Sequence, residues 1–156
     1  MSDYIHYIQK DITTVERGII LHGCNDQGVM GSGVALFLRQ KYPEIFPSYS
    51  SLCSDTDPDT PLLGTIDVVN VARNLYVVNG ITQHLYGKDG RFALPSAIDA
   101  VFKHTFILSC YLKQDVYMPL IGCGRGGLNW SSDVEPILRY RENEAFGHIY
   151  VCSWAE

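Results

Sequence analysis

The chain has 156 residues, a formal net charge of −5 and an apolar fraction of 46%. That length suffices for one domain with its own hydrophobic core, so residues 1–156 are read as a single domain. The negative charge excludes a general nucleic-acid binder, which carries a basic footprint, but leaves room for a small anion held by backbone amides.

The five cysteines (Cys24, Cys53, Cys110, Cys123 and Cys152) are odd in number, widely spaced and form no CxxC pair. That pattern argues against a disulfide framework or a zinc site and fits a reducing cytoplasm. The start of the chain lacks the basic and apolar regions of a secretion signal, and no apolar run is long enough to span a membrane. A cytoplasmic monomer without metal or cofactor is therefore expected.

In chain order, Tyr4 to Ile8 reads as a strand and Lys10 to Thr13 as the turn that ends it. Gly18 to His22 is a second strand, apolar enough to be buried on both faces. Ser32 to Tyr42 is an amphipathic helix stopped by Pro43, and Glu44 to Cys53 a shorter one. Ser54 to Pro61, with three aspartates and two prolines, is an exposed loop. Gly64 to Val71 and Leu75 to Ile81 form an antiparallel hairpin around Ala72-Arg73-Asn74. Pro95 to Leu112 is a helix with proline in its first turn. Val116 to Ile121 is a buried strand, Ser131 to Tyr140 a helix capped by Ser131 or Ser132, and His148 to Cys152 the last strand. This order predicts an α/β fold: a three-layer α/β/α sandwich around a mixed, mostly parallel sheet.

Two glycine-rich segments follow apolar strands. One is His22-Gly23-Cys24-Asn25-Asp26-Gln27-Gly28-Val29-Met30-Gly31-Ser32-Gly33-Val34-Ala35, which opens into a helix; the other is Ile121-Gly122-Cys123-Gly124-Arg125-Gly126-Gly127-Leu128. Open α/β sheets bind ligands beyond the carboxyl ends of their strands. Glycines let backbone N–H groups approach a ligand, and a helix N-terminus favours negative charge. Neither segment is a P-loop, and the first does not fit the dinucleotide fingerprint. Two such loops at one sheet edge predict a site that grips a diphosphate from both sides; the plainer alternative is that the glycines only make tight turns.

These segments, taken in order, resemble the macrodomains, a family that binds ADP-ribose. Lys10-Asp11-Ile12-Thr13 resembles the family's Gly-Asp-Ile-Thr, and His22-Gly23-Cys24-Asn25 its Val-Asn-Ala-Ala-Asn strand end. Gly31-Ser32-Gly33-Val34-Ala35 is similar to the glycine run opening its first long helix. Met118 to Gly124, followed by Leu128-Asn129-Trp130, is similar to the second phosphate loop of the branch holding terminal ADP-ribose glycohydrolases and ADP-ribose 1''-phosphate phosphatases. The resemblance implies that Asp11 and the Ile12 N–H meet adenine, and that Asn25 meets the distal ribose. It implies that the amides of Gly31, Ser32, Gly33 and Val34, and of Gly122, Cys123, Gly124, Arg125 and Gly126, enclose the phosphates. Arg125 reads equally as a plain loop arginine. Trp154 is the candidate to stack on adenine, with Trp130 and Tyr86 as alternatives.

The glycohydrolase branch carries a lysine after the Ile-Thr of the middle strand and an aspartate in the second loop. Here Ile81-Thr82 is followed by Gln83, and the loop position holds Gly126. The phosphatase branch carries a histidine matching His22 and an acidic residue in the loop after the middle strand, for which this sequence offers Asp89. His22 and Asp89 are therefore the candidate catalytic pair of a metal-independent phosphatase acting on ADP-ribose 1''-phosphate. The bland alternatives are a buried histidine bonded to a backbone carbonyl and a turn aspartate. Cys24 and Cys123 read as small buried thiols. An ADP-ribosyl or O-acyl-ADP-ribose hydrolase and a non-enzymatic ADP-ribose reader remain the rival functions; ADP-ribose or a derivative is the expected partner in all of them.

Overall fold

The computed structural model describes residues 3–57, 59–84, 92–124 and 126–153. Among the described residues six strands form one sheet: β1 (Ile5–Gln9), β2 (Gly18–Asn25), β3 (Ile66–Ala72), β4 (Leu75–Gln83), β5 (Val116–Met118) and β6 (Ile149–Ser153). Their spatial order is β1-β6-β5-β2-β4-β3. All neighbours run parallel except β3 and β4, which form the antiparallel hairpin that the sequence predicts, turning through Asn74 at φ +59°.

Among the described residues four α-helices flank the sheet: α1 (Gly33–Lys41), α2 (Ile45–Asp55), α3 (Pro95–Leu112) and α4 (Glu135–Arg141). They divide between the two faces because strand side chains alternate. On β2, Ile19 and Leu21 pack with Val101, Phe102 and Phe106 of α3 and Leu138 of α4. Ile20 and Cys24 point the other way, joining Leu38 of α1 and Ile45 and Tyr49 of α2. Each face has its own apolar core, and the architecture is the expected α/β/α sandwich.

Several boundaries shift by a residue or two, and three differences bear on the site. β2 runs on to Asn25 rather than stopping at His22, so the candidate histidine stands inside the sheet. β5 stops at Met118 instead of Ile121: Pro119 has no N–H for the ladder, and the Ile121 N–H donates back to the Pro119 carbonyl at 2.8 Å. The segment before α4 opens as a wide π turn, Trp130–Val134, and its cap is Asn129 rather than a serine. Asn129 Oδ1 accepts from the Ser132 N–H at 3.1 Å, while Asp133 Oδ2 accepts from the Asn129 N–H at 2.8 Å, so each end of the turn satisfies the other.

A candidate ligand-binding cleft

The parallel strands β2, β4, β5 and β6 end on one edge, and there a cleft of about 710 Å³ opens. The two glycine-rich segments both contribute walls to it. His22, Asn25, Gly31, Ser32, Gly33, Val34, Gly122, Cys123, Gly124 and Gly126 all line it. The structure thus brings together both predicted loops and the predicted histidine. Asp11 and Ile12 do not line it. Asp11 caps the short 3-10 turn Ile12–Thr14, its Oδ1 accepting from the Thr13 N–H at 2.9 Å and from the Thr13 hydroxyl at 2.7 Å. These bonds hold the Asp11 carboxyl below the usual range. The turn abuts the cleft rim, because the Lys10 N–H donates to the carbonyl of Ser153, a lining residue, at 2.9 Å. Asp89, Arg125 and Trp154 lie outside the described residues, as does Tyr86.

The first wall ends at the start of α1. Its N-cap, Ser32, makes no side-chain capping bond, and the first-turn amides of any helix lack partners within the helix. Gly33 adopts φ +62°, a conformation costly for other residues, and a side chain there would meet nothing within 4 Å. Amides and the helix dipole together favour an anion at this wall. The preceding Asn25–Val29 segment is tied by Tyr49 of α2, a residue that the sequence reading did not single out. Its hydroxyl lies 2.7 Å from both the Asn25 carbonyl oxygen and Asn25 Oδ1, and it accepts from the N–H groups of Gly28 and Val29 at 3.1 Å. Asn25 completes the knot, accepting from the Gln27 N–H at 2.9 Å and donating from Nδ2 to the Val29 carbonyl at 2.8 Å. Most of its bonding capacity therefore shapes the loop. Nothing in the local sequence marks Tyr49, because its partners lie some twenty residues away.

The second wall is held by backbone bonds, within itself and to the segment that precedes α3. The Gly126 carbonyl accepts from the N–H groups of Phe92 and Ala93 at 2.9 and 3.0 Å, and the Gly122 carbonyl from that of Leu128 at 2.9 Å. A Cβ at Gly126 would stand 2.5 Å from the Gly122 carbonyl oxygen, whereas one at Gly124 would meet nothing within 4 Å. Gly126 is a packing requirement; Gly124 faces open space.

His22 lines the cleft yet is only 1% exposed. Its Nε2 lies 2.5 Å from Oδ1 of Asn79, so its partner is a side-chain amide rather than the backbone carbonyl of the bland alternative. Burial lowers its pKa to about 4, only partly offset by the Asn79 bond, and the ring is neutral at physiological pH. Burial also pushes up the thiols that line the cleft, Cys123 and Cys152 to about 11 and Cys24 likewise upward, so all three stay protonated and poorly nucleophilic. No Asp, Glu, Lys or Arg is among the described lining residues. Among the described residues, backbone N–H groups and neutral polar side chains such as Ser32 and Asn25 are what this cleft offers an anion. Among the described residues no group of three or more His, Cys, Asp or Glu is arranged to hold a metal ion, and no helix is long and apolar enough to cross a membrane.

No protein-family model matches the chain. A macrodomain protein from Streptomyces coelicolor superposes with a TM-score of 0.81 at 26% identity, covering 97% of this chain and 99% of that one. This chain has the macrodomain fold. The macrodomain is also 28% identical over 159 residues to the ADP-ribose 1''-phosphate phosphatase of Candida albicans, covering 94% of this chain and 99% of that protein. To the DNA ADP-ribosyl glycohydrolase of Mycobacterium tuberculosis it is 28% identical over 135 residues, 84% of this chain. It spans only 36% of that glycohydrolase's length.

Proposed function

We propose that this macrodomain binds ADP-ribose derivatives in the cleft and hydrolyses ADP-ribose 1''-phosphate to ADP-ribose and phosphate. The observation that carries the reading is a pair of amide-bearing glycine-rich walls lining one cleft with a buried, neutral histidine. The diphosphate lies between the first turn of α1 and the Gly122–Gly126 segment, and adenine lies toward Asp11 and Ile12 at the rim. Water attacks the terminal phosphorus, the bond from phosphorus to the 1''-oxygen breaks, and that oxygen gains a proton to become the anomeric hydroxyl. His22 accepts a proton from the water; Asp89 is the matching acid. Amides that bind developing phosphoryl charge supply the electrostatic part of the barrier reduction.

The likeness to the Candida phosphatase along nearly its full length supports this reading. The rival is ADP-ribosyl hydrolysis, supported by the mycobacterial relative. Against it stand Gln83 and Gly126, which occupy the places of that branch's lysine and aspartate. The test is incubation with ADP-ribose 1''-phosphate, O-acetyl-ADP-ribose and ADP-ribosylated DNA, followed by product analysis. Free phosphate from the first substrate alone is the expected result. Release of ADP-ribose from the DNA alone would install the rival, and tight binding of ADP-ribose without any turnover would make the protein a reader.

A further inference from the structure

Beneath α2, three polar side chains stand in one row across adjacent strands. His22 of β2 is the register partner of Asn79 of β4, and Asn79 is the register partner of Asp67 of β3. The next row on the same face is wholly apolar: Ile20, Val77 and Val69. On the other side Cys24 pairs with Ile81. Buried polar side chains cost stability unless they are fully bonded. His22 and Asn79 are 1% and 0% exposed.

The bonds give the row a direction. Asn79 Nδ2 is 3.0 Å from Asp67 Oδ2 and 3.3 Å from the Ile45 carbonyl oxygen. Both are acceptors, so this end of the amide must be the NH₂ group. The reverse orientation would set the amide oxygen against a carboxylate. Asp67 is held in turn by the Ser48 hydroxyl, which donates to its Oδ1 at 2.8 Å. With Nδ2 committed to donating, Asn79 Oδ1 is the atom facing His22 and can only accept. The proton on the neutral ring must then sit on Nε2.

We propose that Asn79 and Asp67 are positioning residues that lock His22 in its Nε2–H tautomer, leaving Nδ1, which has the Cys24 thiol beside it at 3.8 Å, as the ring nitrogen able to accept a proton from water or ligand in the cleft. The Asp67 carboxylate orients the Asn79 amide, and the amide selects the tautomer. The charge stays one residue away, so it fixes the ring without pairing with it. A carboxylate at position 79 would instead favour a permanent imidazolium. The link to turnover rests on the phosphatase reading; the tautomer does not.

The experiment is long-range proton–nitrogen NMR on the full chain carrying nitrogen-15 histidine, with the His22 signals among the five histidines identified from His22→Gln. At neutral pH the wild type is expected to show an unprotonated Nδ1 and a protonated Nε2. An Nδ1–H ring or an imidazolium would overturn the proposal. Asn79→Leu removes the acceptor: the His22 tautomers should mix, and turnover of ADP-ribose 1''-phosphate should fall at least about tenfold, while ADP-ribose affinity stays within about threefold. An unchanged tautomer in the folded variant would overturn it. Should Asn79→Leu fail to fold, the Asp67 variants decide. Asp67→Asn still offers Asn79 an oxygen and should keep the wild-type spectrum, whereas Asp67→Leu should mix the tautomers; identical spectra from the two would overturn the proposal. A locked tautomer in a wild type without phosphatase turnover would sustain the positioning assignment and reject the phosphatase reading.

Discussion

The two walls of the cleft reach similar ends by different means. The first is knotted by side chains: Tyr49 and Asn25 bond the Asn25–Val29 backbone from the side, and Tyr49 comes from a helix remote in sequence. The second is held by backbone bonds from its glycine carbonyls to Phe92, Ala93 and Leu128, with Gly126 packed against the Gly122 carbonyl. The difference assigns a distinct weakness to each. The first wall is adjustable through a residue that need not touch ligand. The second tolerates change only where its Cβ direction is open.

The largest expected effect breaks the second wall's function while sparing its fold. Gly124→Glu places a carboxylate in open space at the cleft, and ADP-ribose affinity measured by calorimetry should fall at least about a hundredfold, close to 3 kcal/mol, with thermal stability unchanged. Normal binding by the folded variant would remove this wall from the site. Gly126→Ala should do the opposite. Its Cβ would collide with backbone 2.5 Å away, costing about 1–3 kcal/mol of stability in urea titration, and binding should fail only as far as the fold does.

The floor shared by the two walls is probed by pH. The His22 pKa falls from 6.5 unfolded to about 4 in the folded protein. The unfolded chain therefore binds a proton that the fold refuses, and stability drops as pH falls from 6.5 towards 4. At pH 5 the loss is about 2 kcal/mol by linkage. Urea unfolding at pH 7 and pH 5 should show this extra loss in the wild type and not in His22→Gln; equal slopes would show that His22 is not held neutral.

The smallest effect sharpens the first wall. Tyr49→Phe removes a hydroxyl that serves Asn25, Gly28 and Val29. It should cost about 1–2 kcal/mol of stability and, by loosening the loop that leads to α1, weaken ADP-ribose binding severalfold. An affinity unchanged within error would mean that α1 sets this wall without the knot.

The sequence by itself determined the layers, because alternating and helical apolar periods dictate which residues must leave water. Ile19 to Leu21, the hairpin around Asn74 and the helix Pro95–Leu112 were legible for that reason, and so were the two glycine-rich walls, which announce themselves by composition. Gly124 and Gly126 look alike in the sequence, however, and only packing separates an open position from a filled one. Tertiary structure alone also decided the knot at Tyr49 and the row Asp67–Asn79–His22. Their partners are 12 to 57 residues apart in the chain. Strand register and helix docking bring those side chains within bonding distance, and neither is written in any local run of residues. A hydrogen bond needs atoms placed to a few tenths of an ångström, whereas burial of an apolar residue needs only the correct face.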